Sequence, residues 1–216
     1  MLKILGLGGS PRSKGNTDLL LDQALAGASS AGAYVEKIVL NRVRARPCQE
    51  CGSCNTTGVC RMQDEMQGLY KKLEELDGIV VASPIFFMGL TAQTKAIIDR
   101  CQALWARKYL LGRNIGRPGQ TRLGVFIATG GTNRGYTFRP STTIIKSFFA
   151  TIEVTYFREL LYGSIDARGD ILQHSSAMEE AFQAGADLVK ALEVPPGDLP
   201  SVEKGTEDPN GQTKDR

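Results

Sequence analysis

The sequence has no apolar run approaching the ~18 residues that a membrane-crossing helix requires. Its longest runs, around Gly78–Ser83 and Val125–Ala128, are far shorter. A helical membrane span is therefore excluded, and no membrane partner is expected. The start, Met1-Leu2-Lys3-Ile4-Leu5-Gly6-Leu7, lacks the basic n-region of a secretory signal and runs into a glycine-rich turn. It predicts a first strand and a cytoplasmic location. A large net charge is also missing. The value of +3 over 216 residues, with no aromatic-interleaved RNA motif, argues against nucleic acid as a partner. No internal repeat is evident. What is present is ordinary for a globular chain: 42% apolar and 23% charged residues, enough to bury a real core in one domain with a tail.

Strand-like and helix-like patterns alternate. Leu2–Gly8 reads as a short strand, and Thr17–Ser30 follows with Leu20, Leu21, Ala24, Leu25 and Ala28 at helical spacing. Val35–Leu40 alternates as a second strand, and Met62, Met66, Leu69, Leu73 and Leu76 return to helical spacing. Gly78–Ala82 is apolar throughout, as buried parallel strands are. Thr91–Ala103, Ser141–Thr151 and Ser176–Leu192 then read as helices, and Arg122–Thr129 and Thr155–Gly163 as strands. Five strands interleaved with helices predict a doubly wound α/β domain over residues 1–194 with a five-stranded parallel sheet. Residues 195–216 hold four prolines, three glycines and only Leu199 and Val202 as aliphatic residues, which predicts a disordered tail.

The first strand runs into Gly8-Gly9-Ser10-Pro11-Arg12-Ser13-Lys14-Gly15-Asn16-Thr17 and then a helix. At the carboxyl end of a strand in such a sheet, this loop occupies the ligand-binding edge. A helix N-terminus there offers unpaired N–H groups and a partial positive charge. Ser10, Asn16 and Thr17 add hydroxyl and amide groups, and Arg12 adds a guanidinium fork suited to phosphate oxygens. No Gly-Lys-Ser/Thr closes a P-loop, and Pro11 stands where a dinucleotide fingerprint needs its third glycine. A cradle for a single phosphate is the expectation. Two further strand-end loops join it. Ser83-Pro84-Ile85-Phe86-Phe87 is a proline-led aromatic turn able to wall a flat ring, and Thr129-Gly130-Gly131 allows close backbone approach.

Gly9-Ser10-Pro11-Arg12-x-x-Gly15-Asn16-Thr17, together with the Ser83–Phe87 turn, Lys95 and Asp99-Arg100, resembles the flavodoxin-like NADPH-dependent FMN reductase superfamily. The resemblance implies FMN as cofactor. Its phosphate would lie on Ser10, Arg12, Gly15, Asn16 and Thr17, and its ring beside Ser83, Pro84, Ile85, Phe86, Phe87, Thr129, Gly130 and Gly131.

Of five cysteines, Cys48, Cys51, Cys54 and Cys60 fall within thirteen residues, in an insertion after the second strand with Pro47, Gly52 and Gly58. Without an export signal, this density favours metal binding over disulfides. Three thiolates at this spacing can wrap a compact cluster that the fourth closes, with glycine N–H groups free to approach the sulfurs. A structural zinc site remains open, although zinc ribbons set two Cys-x2-Cys knuckles well apart. The spacing is similar to that of the iron–sulfur flavoproteins, a branch of the same superfamily. That resemblance implies a [4Fe–4S] cluster on the four cysteines, within a loop spanning residues 45–61. Cys101 reads as a buried apolar residue and His174 as a surface or capping residue.

The implied protein is a flavin-dependent oxidoreductase carrying FMN and a [4Fe–4S] cluster, coupling one-electron carriers to two-electron flavin chemistry. No catalytic side-chain acid, base or nucleophile is expected, because the cofactors carry the chemistry. A NAD(P)H-dependent FMN or quinone reductase with zinc or no metal is the alternative, and a non-catalytic flavodoxin-like carrier a further one. Asp and Glu are absent from Arg100 to Ile152, a stretch with nine Arg and Lys residues. It reads either as a solvated basic face or as a positive surface for an anionic cofactor or acidic redox partner such as ferredoxin. Family resemblance also suggests a homodimer or homotetramer.

Overall fold

The alternation builds one parallel sheet. In the computed structural model, which describes residues 1–194, the strands are β1 (Lys3–Gly8), β2 (Tyr34–Val39), β3 (Gly78–Pro84), β4 (Leu123–Thr129) and β5 (Thr155–Tyr162). They lie in the order β2-β1-β3-β4-β5, all parallel. The helices are α1 (Asn16–Ser30), α2 (Cys54–Thr57), α3 (Met66–Glu75), α4 (Ala92–Arg100), α5 (Gln102–Trp105), α6 (Arg139–Thr151) and α7 (Ala177–Glu193). The expected tail lies outside the described residues. Among the described residues, no helix is long and apolar enough to cross a membrane.

The two-residue period of the central strands sorts their side chains into two cores. Leu5, Leu7, Ile79, Val81, Phe126 and Ala128 pack against α3, α4 and α6. Ile4, Val80, Ala82, Val125 and Ile127 pack against α1 and α7. With helices on both faces, β3 and β4 are buried almost end to end. The α1–α7 contact is unusually close because each helix meets the other through a glycine. A Cβ on Gly27 would lie 1.9 Å from the Phe182 carbonyl oxygen, and one on Gly185 1.8 Å from that of Ala24.

The helix expected over Thr91–Ala103 departs from its reading. Thr91 is the N-cap, α4 stops at Arg100, α5 resumes at Gln102, and a π-helical turn carries the chain to Leu110. No glycine or proline marks this break. It falls where the Arg100 side chain turns inward to Asp64 and the Arg46 carbonyl, a tertiary cause invisible in the local pattern.

Candidate functional site

Two cavities hold the sequence-derived candidates. The first lies at the carboxyl ends of β1, β3 and β4. Gly9 N–H donates to the Ala82 carbonyl at 2.7 Å, tying the loop after β1 to β3. The Thr91 hydroxyl donates to Gly9 O at 2.7 Å, and a Cβ on Gly9 would sit 2.0 Å from Thr94 Oγ1, so only glycine fits. The Ser10 hydroxyl accepts from Arg12 N–H and donates to Arg12 O, which closes the turn on itself. Lys14 adopts φ +53° and donates its N–H to Asp18 at 2.7 Å. Gly15 is the N-cap of α1 and no side chain caps it, so the first-turn N–H groups remain at the cavity edge.

This cleft, about 80 Å³, is lined by Ser10, Arg12, Gly15, Asn16, Thr17, Pro84, Ile85, Phe86, Thr129, Gly130 and Gly131, all anticipated from the sequence. Two anticipated residues do not reach it. Ser83 is fully buried behind the wall, where its hydroxyl accepts from Thr91 N–H and donates to Pro84 O. Phe87 sits at the tip of a tight turn, bridged between Phe86 and Gly89, with φ +49°, and projects entirely into solvent. Asn16 lines the cleft, but its amide is committed elsewhere. Its Nδ2 donates to Ala167 O at 2.8 Å, and its Oδ1 accepts from Gly169 N–H at 2.9 Å. It therefore anchors the loop after β5.

That loop is what the sequence reading missed. Ile165, Asp166 and Arg168 also line the cleft, and Arg168 donates to the carbonyls of Ser13 and Lys14. The available signal was topological: every strand of a parallel sheet delivers a loop to the same edge, including the last. Arg12 is exposed at the cleft, and among the described residues its guanidinium has no ion-pair partner.

The second cavity, about 220 Å³, lies in the long connection between β2 and α3. Cys48, Cys51, Cys54 and Cys60 all line it, with Arg61, Arg100, Gln102 and Ala103. Left-handed Glu50, Gly52 and Gly58 (φ +50°, +72° and +72°) turn the chain so that separated cysteines face one space. All five cysteines are free thiols. Among the described residues, no three His, Cys, Asp or Glu side chains converge closely enough to hold a single ion. The Ser53 backbone N–H holds the Cys51 thiol below its ordinary range. Burial, and then the charges of the other three cysteines, push Cys54 upward.

Arg100, only 1% exposed, closes this cavity from α4. Its Nη1 donates to Asp64 Oδ2 at 2.6 Å and to Arg46 O at 2.7 Å. Its Nη2 donates to Asp64 Oδ1 at 3.1 Å and to Cys60 Sγ at 3.5 Å. Its buried Nε has no partner. The guanidinium in turn holds the Asp64 carboxyl below the usual carboxylate range. Cys101, next in sequence, is buried as expected, with its thiol pushed up by desolvation. His174 also behaves as expected, its Nδ1 accepting from Ser176 and Ala177 N–H at the start of α7.

The acid-free stretch does not form one basic surface. Arg100 and Arg122 are buried, Arg107 pairs with Glu74 at 2.8 Å, and Arg117 pairs with Asp77 at 2.9 Å. Much of its charge is neutralised within the fold.

A parallel sheet in this strand order, with its cleft beside the switch between β1 and β3, defines a flavodoxin-like protein. The chain belongs to the NADPH-dependent FMN reductase family, whose sequence profile matches residues 2–155, and within it to the iron–sulfur flavoprotein branch. That membership makes it a flavin-dependent oxidoreductase. It is 35% identical over 150 residues to an iron-sulfur flavoprotein of Methanocaldococcus jannaschii, covering 68% of this chain and 72% of that one. To an iron-sulfur flavoprotein of Archaeoglobus fulgidus it is 37% identical over 112 residues, covering 52% of this chain and 51% of that protein, about half its length. The NAD(P)H:quinone oxidoreductase from Methanothermobacter marburgensis shares the fold, with a TM-score of 0.65 at 18% identity over 87% of this chain and 98% of that one.

Proposed function

We propose that the chain binds FMN in the cleft after β1 and a [4Fe–4S] cluster in the cysteine cavity, and moves electrons between a one-electron carrier and a two-electron acceptor. The observation that carries this reading is that four thiols separated by up to twelve positions line one cavity, at a distance from an independent phosphate-sized cleft. FMN would supply two-electron and one-electron exchange, and the cluster single-electron exchange. The chain's own residues bind and orient. The uncapped start of α1 and Arg12 attract a phosphate, Pro84–Phe86 form an apolar wall, and Gly130 and Gly131 leave room for a ring edge. A single zinc would need four sulfurs about 2.3 Å from one point. The cavity of about 220 Å³ that all four cysteines line has room for a larger, polynuclear group.

The two sites stand at opposite ends of α4. The Thr91 N-cap touches the Gly9 loop, and Arg100 closes the cysteine cavity. Nine residues of helix span about 14 Å. This separation fits an assembly, a homodimer or homotetramer, in which the cluster of one copy serves the flavin of another. The donor is an acidic carrier such as ferredoxin, or NAD(P)H. The alternative, a NAD(P)H-dependent FMN or quinone reductase with zinc or no metal at the cysteines, differs in metal content.

A visible spectrum of protein purified without oxygen, with iron, sulfide and zinc analysis, decides between them. Flavin bands with about four irons per chain are expected. Flavin with zinc or no metal would turn the assignment to the simple reductase. Arg12→Ala tests the phosphate cradle. Because Arg12 is exposed, the loss is set at the lower end for a charged hydrogen bond, about 1.5 kcal/mol or roughly tenfold in FMN Kd. Flavin fluorescence titration measures it, and a Kd within threefold of the unaltered protein removes Arg12 from the cradle.

A further inference from the structure

We propose that Arg100 is the redox-tuning cation of the cysteine cavity, donating to the Cys60 thiolate and raising the potential of the cluster held there. The inference rests on the reading above that the four cysteines hold such a cluster.

A guanidinium 1% exposed to solvent needs strong compensation. Asp64 supplies the countercharge through two hydrogen bonds, and Arg46 O a third. The remaining Nη2 contact is to Cys60 Sγ. The arrangement is locked from behind, where Tyr70 donates its hydroxyl to Arg100 O at 2.7 Å. The break between α4 and α5 follows directly after this residue. Asp64 supplies the one countercharge the arginine needs, yet Nη2 also reaches Cys60 Sγ. The contact with a thiol at the cavity wall gives the guanidinium a second role, toward whatever charge the cysteines carry.

Reducing the cluster adds one electron and one negative charge, with no bond made or broken in the protein. A fixed cation beside one thiolate ligand stabilises the more negative form, and a donated N–H withdraws charge from sulfur in the same direction. Arg100 therefore raises the potential and Asp64, of opposite charge, lowers it.

The test is a redox titration with dithionite, a one-electron reductant, followed by electron paramagnetic resonance on the holoprotein. In R100Q the ratio of reduced to oxidised cluster at a fixed applied potential falls about tenfold, equivalent to about 59 mV for one electron. In D64N the ratio rises, and in R100K, which keeps the charge without the planar fork, it lies between R100Q and the unaltered protein. A packing role does not produce shifts of opposite sign. Iron and sulfide in the unaltered protein, with potentials unmoved or moved the same way in R100Q and D64N, overturn the inference and leave the cluster reading standing. Absence of iron from the unaltered protein overturns that reading and the inference with it. If R100Q retains no iron, D64N decides alone, and no upward shift in it overturns the role.

Discussion

Replacing Arg122 with methionine destabilises the fold by about 2–4 kcal/mol, the scale for leaving two buried carbonyls without donors. Arg122 lies immediately before β4, at the end of the sheet opposite the cleft, and is 3% exposed. Its Nε donates to Leu76 O at 3.1 Å, and its two terminal nitrogens donate to Leu73 O and Ile152 O. Leu73 and Leu76 close α3, and Ile152 is the C-cap of α6. One guanidinium thus satisfies carbonyls at the ends of two helices, where the helix dipoles are negative. Burial pulls its pKa down to about 10, and it remains a cation at neutral pH. Methionine keeps the apolar stem but leaves Leu73 O and Ile152 O without donors, each costing ~1–3 kcal/mol before relaxation, while Leu76 O keeps its bond from Gln120 Nε2. Lysine, a compact cation without the fork, recovers only part. Urea unfolding reads this as a lower midpoint at unchanged slope. A methionine variant within about 1 kcal/mol of the unaltered protein would show that the freed carbonyls of Leu73 and Ile152 find water.

Arg122 also marks where the sequence stops being legible. It belongs to the acid-free stretch from Arg100 to Ile152, where a run of like charges reads as a surface. The partners that bury or neutralise those charges, Asp64, Glu74 and Asp77, lie more than thirty positions upstream, and only the packing of α3 against the β3–β4 region brings them close. Local pattern carries no trace of such pairing. The strands and the glycine-rich loop after β1 are legible for the opposite reason. An all-apolar Gly78–Ala82 and a glycine-rich turn before a helical period are local facts with one steric solution each. The Ser83–Phe87 turn was half legible. Proline and aromatics predicted a wall, but which residues face the cleft depends on the left-handed tip at Phe87 and Met88, which throws Phe87 outward. Asn16 shows the same limit, since its amide answers to a loop 150 residues later.

Cys51→Ser abolishes the cluster and leaves FMN affinity within twofold, the largest functional change expected from one atom. Cys51 is the cysteine whose loss least disturbs the fold, because it is exposed and its thiol contacts only Ser53 within its own loop. Iron loss in this variant therefore reports ligation rather than unfolding. A serine hydroxyl is a poor replacement for a thiolate on iron, since soft sulfur ligands select such clusters. Iron is expected to fall from about four per chain to near zero on purification in air. The proposed FMN site is insulated from this change by position. The cleft proposed for it is built from the loops after β1, β3, β4 and β5, none of which contains Cys48, Cys51, Cys54 or Cys60, and the two cavities share no lining residue. Cys101→Ser is the control, a buried thiol that donates to Ile97 O and lines no part of the cysteine cavity. It should cost stability while iron stays. Iron unchanged in Cys51→Ser would remove Cys51 from the ligand set. Iron and FMN lost together would mean that the two cavities are coupled through α4, which bears Arg100 in the lining of one and whose Thr91 N-cap holds the Gly9 loop of the other.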